Sequence, residues 1–170
     1  MNWSHLQMEF ALKKVIPFLL FLYSLQVLAA GSVDVKVVLT LGTSFTISTS
    51  DVQGSVTKVG DGFQASSIVV QLKNIKTGIA LRDSHTLKHL EAEKYPDVKL
   101  ITAEGKSGEG KGSIEIKGIK KDIKGTYKVD GTNLIADFDL NIKDFKIENV
   151  RYMGVGVKDI VHVTAKIPIK

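Results

Sequence analysis

Polar residues between Arg82 and His89 include the side chain types from which catalytic sites are built. Asp83, Ser84 and His85 are the three residue types of a hydrolase triad. Adjacent residues of a helix point in different directions, however, and triads are assembled from segments that are distant in the chain. We therefore predict that this run holds no catalytic residue and that the protein is not an enzyme.

Two histidines in the same segment have the spacing of a helical metal site. His85 and His89 are four residues apart, so they share one helix face and could both ligate a metal ion. No third ligand is evident. On a helical wheel the histidines lie opposite Leu87 and Leu90, which places them toward solvent. We expect a solvated helix face here, with no metal ion and no cofactor.

The segment that contains these residues interrupts a regular pattern of strands. On both sides apolar and polar residues alternate, whereas here two leucines are spaced three apart, as on one face of a helix. Asp83 or Ser84 can cap the N-terminus of this helix, and Pro96 stops its continuation. The pattern predicts a short helical insert near residues 83–94.

Arg82, Asp83 and His85 lie where the predicted sheet gives way to this helix. A contact between the arginine and a carboxylate would fix the loop, and Arg82 could instead meet a polar or phosphate headgroup. We assign these three residues to the mouth of a cavity or to fixing the loop.

The remaining chain after residue 30 has the two-residue alternation of half-buried strands, most clearly in residues 134–142. Turn signals separate the segments, such as those at residues 60–62 and 130–131, and residues 105–110 suggest a loose glycine-rich connection. About eight or nine short strands predict an all-β, antiparallel barrel or sandwich. At about eight strands, a barrel interior is either just filled by side chains or holds one small ligand.

Composition limits the function classes further. The chain has 170 residues, 23 of them basic and 18 acidic, and no cysteine. Disulfides, thiolate metal sites and thiol catalysis are therefore excluded. Nine lysines between Lys94 and Lys128 interleave with acidic residues. This mixture favours a solvated barrel face over a nucleic-acid site, and it also allows weak attraction to anionic lipid headgroups.

Residues 1–30 have the pattern of a targeting segment. Lys13 and Lys14 precede an apolar run at residues 15–28, and small residues follow it. This run is shorter than the roughly 20 residues that a membrane-spanning helix needs. We predict a signal peptide cleaved near Ala29 or Ala30, a periplasmic location, and one barrel domain at residues 31–170. A retained membrane anchor is the alternative.

The central segment resembles the signature of the YceI-like family. That family's pattern is a strand ending in Thr-Gly, then Arg-Asp-x-His, then Tyr-Pro where the next strand begins. In this chain the matching residues are Thr77-Gly78, Arg82-Asp83 with His85, and Tyr95-Pro96. Residues 118–123 resemble the family's Gly-Val-Thr-Lys-Pro-Val hairpin, with Asp122 in place of the proline. The likeness covers most of residues 33–169.

This resemblance implies a lipocalin-like antiparallel barrel, exported to the bacterial periplasm, that holds a long isoprenoid such as a quinone tail or a polyprenyl chain. Burying each CH₂ contributes about 0.8 kcal/mol, so an aliphatic tube can bind such a tail without catalytic groups. The candidate cavity-lining residues are apolar side chains at alternating strand positions: Phe45, Ile47, Ile68, Val70, Leu72, Phe138, Leu140, Ile142, Val161 and Val163.

A second interpretation fits the same strands. In it, these side chains fill the core, and the protein is an envelope β-domain that acts through protein contacts without a lipid ligand. Whether the lumen is vacant separates the two interpretations.

Overall fold

Alternating apolar residues form the strands of this protein, as expected where one face of a sheet is buried. The computed structural model describes residues 31–170. The predicted signal peptide and its cleavage near Ala29 or Ala30 lie outside the described residues. Between residues 31 and 170, no helix combines the length and apolarity that a membrane crossing requires.

Strands dominate the described residues, which contain a single α-helix. In chain order the strands are β1 (Ser32–Val38), β2 (Ser44–Thr49), β3 (Val52–Gln53), β4 (Val56–Val59), β5 (Gly62–Gln71), β6 (Asp97–Lys106), β7 (Glu109–Ile116), β8 (Ile119–Asp130), β9 (Asn133–Asn141), β10 (Arg151–Tyr152), β11 (Val155–Gly156) and β12 (Ile160–Pro168). The helix α1 spans Ala80–His89, and short 3₁₀ helices cover Leu72–Asn74 and Ile142–Phe145.

One antiparallel sheet of ten strands contains all but the β10–β11 hairpin. Its order is β2-β1-β12-β9-β8-β7-β6-β5-β3, and β4 also pairs with β5. At one end of the sheet, β2 bridges to the segment that follows β5, where the Ser48 N–H donates to the Lys76 carbonyl at 2.7 Å and the Lys76 N–H donates to the Ser48 carbonyl at 2.8 Å. The sheet is therefore a nearly closed barrel, which confirms the predicted all-β, antiparallel barrel fold with a short helical insert.

The pairing of β9 with β12 defines the inward face of the barrel. Leu140 lies opposite Val161, and Phe138 lies opposite Val163. Cross-strand partners project to the same side of a sheet, so apolar residues at alternating positions of both strands face the interior together. Buried residues form two clusters, one including Leu140 and Phe145 and the other including Leu134.

The glycine-rich segment at residues 105–110 is not the loose connection that the sequence suggested. β6 continues to Lys106 and β7 begins at Glu109, which leaves a turn of only Ser107 and Gly108. Glycine is depleted in strands because it offers no side chain to pack, so its presence disguised the ends of both strands.

The helical insert is present, but its bounds differ from the prediction. α1 begins at Ala80 and ends at His89, earlier than residues 83–94. Ile79 occupies the N-cap position, and no side chain caps the helix. The expectation that Asp83 or Ser84 is the N-cap is therefore wrong, since both lie inside the helix.

The barrel has two different ends. We call the helix end the one formed by segments 39–43, 72–96, 117–118 and 142–159, and the far end the one formed by turns at 60–61, 107–108 and 131–132. Contacts tie the segments of the helix end together. Lys117 pairs with Glu91 at 2.8 Å, and the Thr40 N–H donates to the Gly156 carbonyl at 2.9 Å.

Candidate ligand-binding cavity

A cavity of about 320 Å³ lies inside the barrel. Its walls come from the long strands of the sheet, from α1 and from the β10–β11 hairpin, and nearly all of its surface is carbon. Ligand pockets in proteins range from roughly 300 to 1,000 Å³ and are mostly apolar. The lumen therefore has the size and the chemistry of a site for an apolar ligand.

The ten apolar residues predicted from strand alternation all border this cavity. They are Phe45, Ile47, Ile68, Val70, Leu72, Phe138, Leu140, Ile142, Val161 and Val163. Several of them would be buried in a filled core as well, so their contact with a ligand stays a prediction.

Small inward-facing residues explain why the lumen is not filled. Ala65, Ala103 and Gly112 are successive cross-strand partners on β5, β6 and β7. Ala136 and Ala165 pair in the same way on β9 and β12. Large inward side chains would just fill a barrel of about eight strands, so small ones at these positions leave space. The sequence shows alanine or glycine at alternating positions of these strands, but it does not show that they meet around one lumen.

Two aromatic rings that the sequence analysis missed border the cavity on the side of the far end. Phe63 and Tyr127 meet edge to face, with ring centroids 5.6 Å apart. The Tyr127 ring lies on Gly105, where an added Cβ would come within 2.6 Å of the ring atom Cε1. Gly105 thus permits the ring to pack over the strand.

One face of α1 borders the cavity at the helix end. This face consists of residues at spacings of three and four, Arg82, His85, Thr86 and His89, and the C-cap residue Leu90 also borders the lumen. The prediction that both histidines face solvent is therefore wrong for His89, which is half-buried and borders the lumen, whereas His85 is exposed. The helical wheel misled at His89 because it assumed an apolar inward face, and the inward face of this helix is mainly polar.

Arg82 packs on two aromatic rings at this end. Its guanidinium carbon is 4.1 Å from the ring centre of Phe45 and 5.0 Å from that of Tyr152. Both distances are within the range of cation–π attraction. One terminal nitrogen of Arg82 donates to the Thr77 carbonyl, whereas its Nε is buried without a partner among the described residues. The positively charged Arg82 side chain therefore borders the carbon-lined lumen, and it connects α1 to β2 and β10.

Asp83 fixes the loop that precedes the helix. Its Oδ1 accepts hydrogen bonds from the Thr77 N–H at 2.7 Å and from the Thr77 hydroxyl at 2.6 Å. The hydroxyl bond is the main cause of the lowered pKa of the Asp83 carboxyl. Within residues 31–170, Arg82 forms no ion pair with a carboxylate. The loop is thus held through Thr77 rather than through an Arg–carboxylate contact.

A second polar group of side chains lies on the outer face of β9 and β12. His162 Nδ1 is 2.8 Å from Asp139 Oδ1, and the Thr164 hydroxyl donates to Asp137 Oδ1 at 2.6 Å. Because the hydroxyl donates to a carboxylate and not to the histidine, these residues do not form a nucleophile–base pair of the Ser–His kind. In the described part of the chain, no three metal-ligating side chains are grouped.

A protein-family model described as the YceI-like domain matches residues 26–169. The chain belongs to the YceI-like family. The resemblance inferred from residues 77–96 is confirmed by this match. The YceI-like family is a family of binding proteins and is not known for enzymes. No curated protein sequence matches the chain at a significant level.

Two solved structures share the YceI-like fold. A polyisoprenoid-binding domain from Saccharophagus degradans, implicated in plant cell wall breakdown, has 13% identity and a TM-score of 0.58, and the match covers 81% of this chain and 91% of that one. BcnA from Burkholderia cenocepacia has 12% identity and a TM-score of 0.60, with 79% of this chain and 94% of BcnA covered. At such low identities the likeness concerns the fold alone.

In this YceI-like domain, the signature residues have a structural role. Thr77, Arg82 and Asp83 form the hydrogen-bonded loop described above. The Tyr95 ring packs against the turn at Gly118, where an added Cβ would lie 3.2 Å from ring atom Cε1. The family signature therefore marks the contacts that hold α1 and its flanking loops on the helix end of the barrel.

Replacing Thr77 with valine should destabilise the protein. The buried Thr77 hydroxyl donates to the Asp83 carboxylate, and valine keeps the shape but removes the donor. A hydrogen bond to a charged group contributes about 1.5–3 kcal/mol, and we expect the free energy of unfolding in urea to fall by about 1–2 kcal/mol because the Thr77 N–H still donates. Thr57→Val, on an exposed strand position, is the control and should cost under about 0.5 kcal/mol. Equal effects of the two changes would contradict this role of Thr77.

Protonation of His89 should make the YceI-like barrel less stable in mild acid. Burial lowers the pKa of His89, and the positive charges of His85, Lys117 and Lys88 lower it further. The folded protein therefore takes up this proton at a lower pH than the unfolded chain does. The free energy of unfolding is unaffected well above the ordinary histidine pKa. It declines as the pH falls through that ordinary pKa toward the lower pKa of His89 in the folded protein.

The test compares melting temperatures of wild type and His89→Gln between about pH 8 and about pH 5. We expect the wild type to lose more stability than the variant over this range. The titration of Asp83, whose pKa is also lowered, lies at more acidic pH and does not interfere. Parallel curves for the two proteins would contradict the assignment.

Proposed function

We propose that this protein binds a long isoprenoid lipid, of quinone or polyprenyl type, inside its barrel, and that it carries or sequesters this lipid. The observation on which the proposal rests is the vacant, carbon-lined cavity of about 320 Å³. Support for a lipid of this class comes from the polyisoprenoid-binding domain of Saccharophagus degradans, which has the same fold.

The lumen suits a flexible apolar tail. Each buried CH₂ contributes about 0.8 kcal/mol, so several isoprene units supply substantial affinity through carbon contacts alone. The ten apolar residues from Phe45 to Val163 that border the cavity are the proposed contacts. Rows of alanine and glycine provide the space that the tail would occupy.

The polar face of α1 suits the headgroup of such a lipid. Arg82 and His85 border the lumen at the helix end, and the buried Nε of Arg82 is a donor without a partner among the described residues. A quinone carbonyl or a phosphate oxygen is an acceptor for donors of this kind. We place the tail in the lumen and the polar head beside these two residues.

We propose that the protein binds its lipid without catalysing a reaction. We propose no catalytic residue, no cofactor, no metal and no nucleic-acid partner. We also propose a periplasmic location, on the basis of the basic flank, apolar run and small residues within positions 1–30. Cell fractionation and the N-terminal sequence of the purified protein test the location and the cleavage near Ala29 or Ala30.

The ligand is tested by extraction. The protein is purified from its native compartment without detergent, extracted with organic solvent and analysed by mass spectrometry, and an isoprenoid at about one equivalent per barrel is expected. Absence of any bound lipid, together with no uptake of added ubiquinone or polyprenol, would contradict the proposal. That result would favour the alternative of an envelope β-domain that acts through protein contacts.

A further inference from the structure

Apolar side chains project from two neighbouring turns at the helix end. Leu41, in the β1–β2 turn, is 78% exposed, and Met153, in the β10–β11 turn, is 87% exposed. A glycine with positive φ follows each of them, Gly42 at 89° and Gly154 at 82°. Both hairpins thus present a large apolar side chain to solvent, where a turn ordinarily has polar residues.

These two turns lie side by side and next to the start of α1. The Thr40 N–H donates to the Gly156 carbonyl at 2.9 Å, which joins the two hairpins. Arg82 lies over the rings of Phe45 and Tyr152, which joins the helix to both. Near the start of the helix, Ile79 and Leu81 are 45% and 64% exposed. We call Leu41, Ile79, Leu81 and Met153 the apolar rim.

The far end of the barrel has no comparable rim among the described residues. Its turns consist of Gly60 and Asp61, Ser107 and Gly108, and Gly131 and Thr132, none of which has an apolar side chain larger than a methyl group. Two valines near that end, Val59 and Val129, are about half exposed, but both belong to strands. Large, strongly exposed apolar side chains in turns are therefore a property of the helix end.

Positive charge is concentrated at the same end. The four segments that form the helix end contain ten basic and six acidic residues, whereas the other described residues contain eleven of each. The whole positive excess of the described chain therefore lies in the segments around the apolar rim. Basic residues around exposed apolar side chains are typical of surfaces that bind anionic bilayers.

We propose that the helix end docks reversibly on an anionic lipid bilayer, with Leu41 and Met153 inserted among the headgroups and the surrounding basic residues held at the surface. The cavity is bordered at this same end by Arg82, His85 and Tyr152, so docking places the lipid site beside the membrane. This inference deepens the proposed function and rests on it for its purpose, which is the transfer of an isoprenoid between bilayer and lumen. A few inserted side chains give weak binding that can reverse, as a carrier requires.

A fluorescent label at the rim tests this orientation. The sequence contains no cysteine, so Met153→Cys and, as the control at the far end, Thr132→Cys each place one nitrobenzoxadiazole label on the full chain. Vesicles of phosphatidylethanolamine and phosphatidylglycerol in equal parts are then added. We expect a blue shift of the Met153→Cys label and no shift of the Thr132→Cys label. Brominated lipids should quench only the former.

The second measurement is the affinity for vesicles and its dependence on lipid charge and salt. In the Met153→Cys protein, Leu41→Ser should raise the lipid concentration needed for half of the shift roughly tenfold, since it removes a side chain that is buried on docking. Val59→Ser in the same protein should leave it unchanged. Vesicles of phosphatidylcholine alone, or high salt, should weaken the response.

Equal shifts of the two labels, or no shift of the rim label, would overturn the docking proposal, and the apolar rim would then be a candidate for a protein partner. Bound lipid is measured by mass spectrometry on the same preparations. Retained isoprenoid without a label shift defeats docking alone, whereas loss of both defeats the proposed function as well.

Discussion

Replacing Ala65 and Ala136 with phenylalanine should strongly weaken lipid binding while the barrel stays folded. The two alanines border the lumen from β5 and β9, which are four strands apart in the sheet, so the new rings would enter the cavity from different walls. If they exclude about four methylenes of the tail, the loss is about 3 kcal/mol, or roughly a hundredfold in affinity. Bound isoprenoid in the purified protein should fall accordingly.

Stability separates this effect from simple misfolding. Side chains that enter vacant space gain contacts, although a tight fit costs about 1–3 kcal/mol, so we expect a melting temperature close to that of wild type. The matched control is Ser66→Phe with Ile135→Phe, one residue along on the same strands and absent from the cavity wall. A filled but folded barrel that still binds its lipid at wild-type stoichiometry would falsify the proposed location of the ligand.

Leu140→Arg should damage both lipid binding and stability. Leu140 is only 9% exposed and lies opposite Val161 on the inward face of β9. The change removes about 2–3 kcal/mol of apolar burial and places an unpaired cation in a carbon-lined space. We expect the free energy of unfolding to fall by about 3 kcal/mol or more, with loss of bound lipid.

Asp139→Arg is the control for this substitution. Asp139 adjoins Leu140 on the same strand but faces outward, where it contacts His162 at 2.8 Å. Loss of an exposed contact of this kind costs under about 1 kcal/mol, and the lumen is unchanged. Should the two arginine variants denature at the same urea concentration, the assignment of the inward face of β9 would be wrong.

Leu140→Arg and the paired phenylalanine variant test different properties of the barrel. Leu140→Arg tests whether a residue faces the interior, and it would be harmful in a filled core as well as in a vacant one. The paired phenylalanines test vacancy itself, because only an empty lumen can accept two added rings without large loss of stability. A protein that acts through protein contacts alone would fail the second test, since it would have no lipid to lose.

The site shows how physical context changes the meaning of sequence motifs. Asp83, Ser84 and His85 have the residue types of a triad, yet the Asp83 carboxylate is engaged by Thr77 and the Ser84 hydroxyl donates to the Ala80 carbonyl at 3.1 Å. The hydrogen bonds of these residues serve the loop and the helix, which agrees with their place in a family of binding proteins.

Much of the barrel fold could be predicted from the sequence by itself. Two-residue alternation depends on which residues are apolar, and it correctly placed the inward residues of β9 and β12, such as Leu140 and Val163. The residues around Thr77 and Arg82 identified the family because the loop there depends on particular side chains. Both signals are local in the chain, which is why they could be found without coordinates.

Only the tertiary structure decided whether the lumen is vacant. Ala65 and Ala136 lie far apart in sequence, and the space between them depends on the closure of the sheet, which no local pattern describes. The same holds for α1, whose polar face turns inward because Arg82 packs on rings from β2 and β10. Periodicity tells which side chains share a face, but the partner of that face is set by contacts between distant segments.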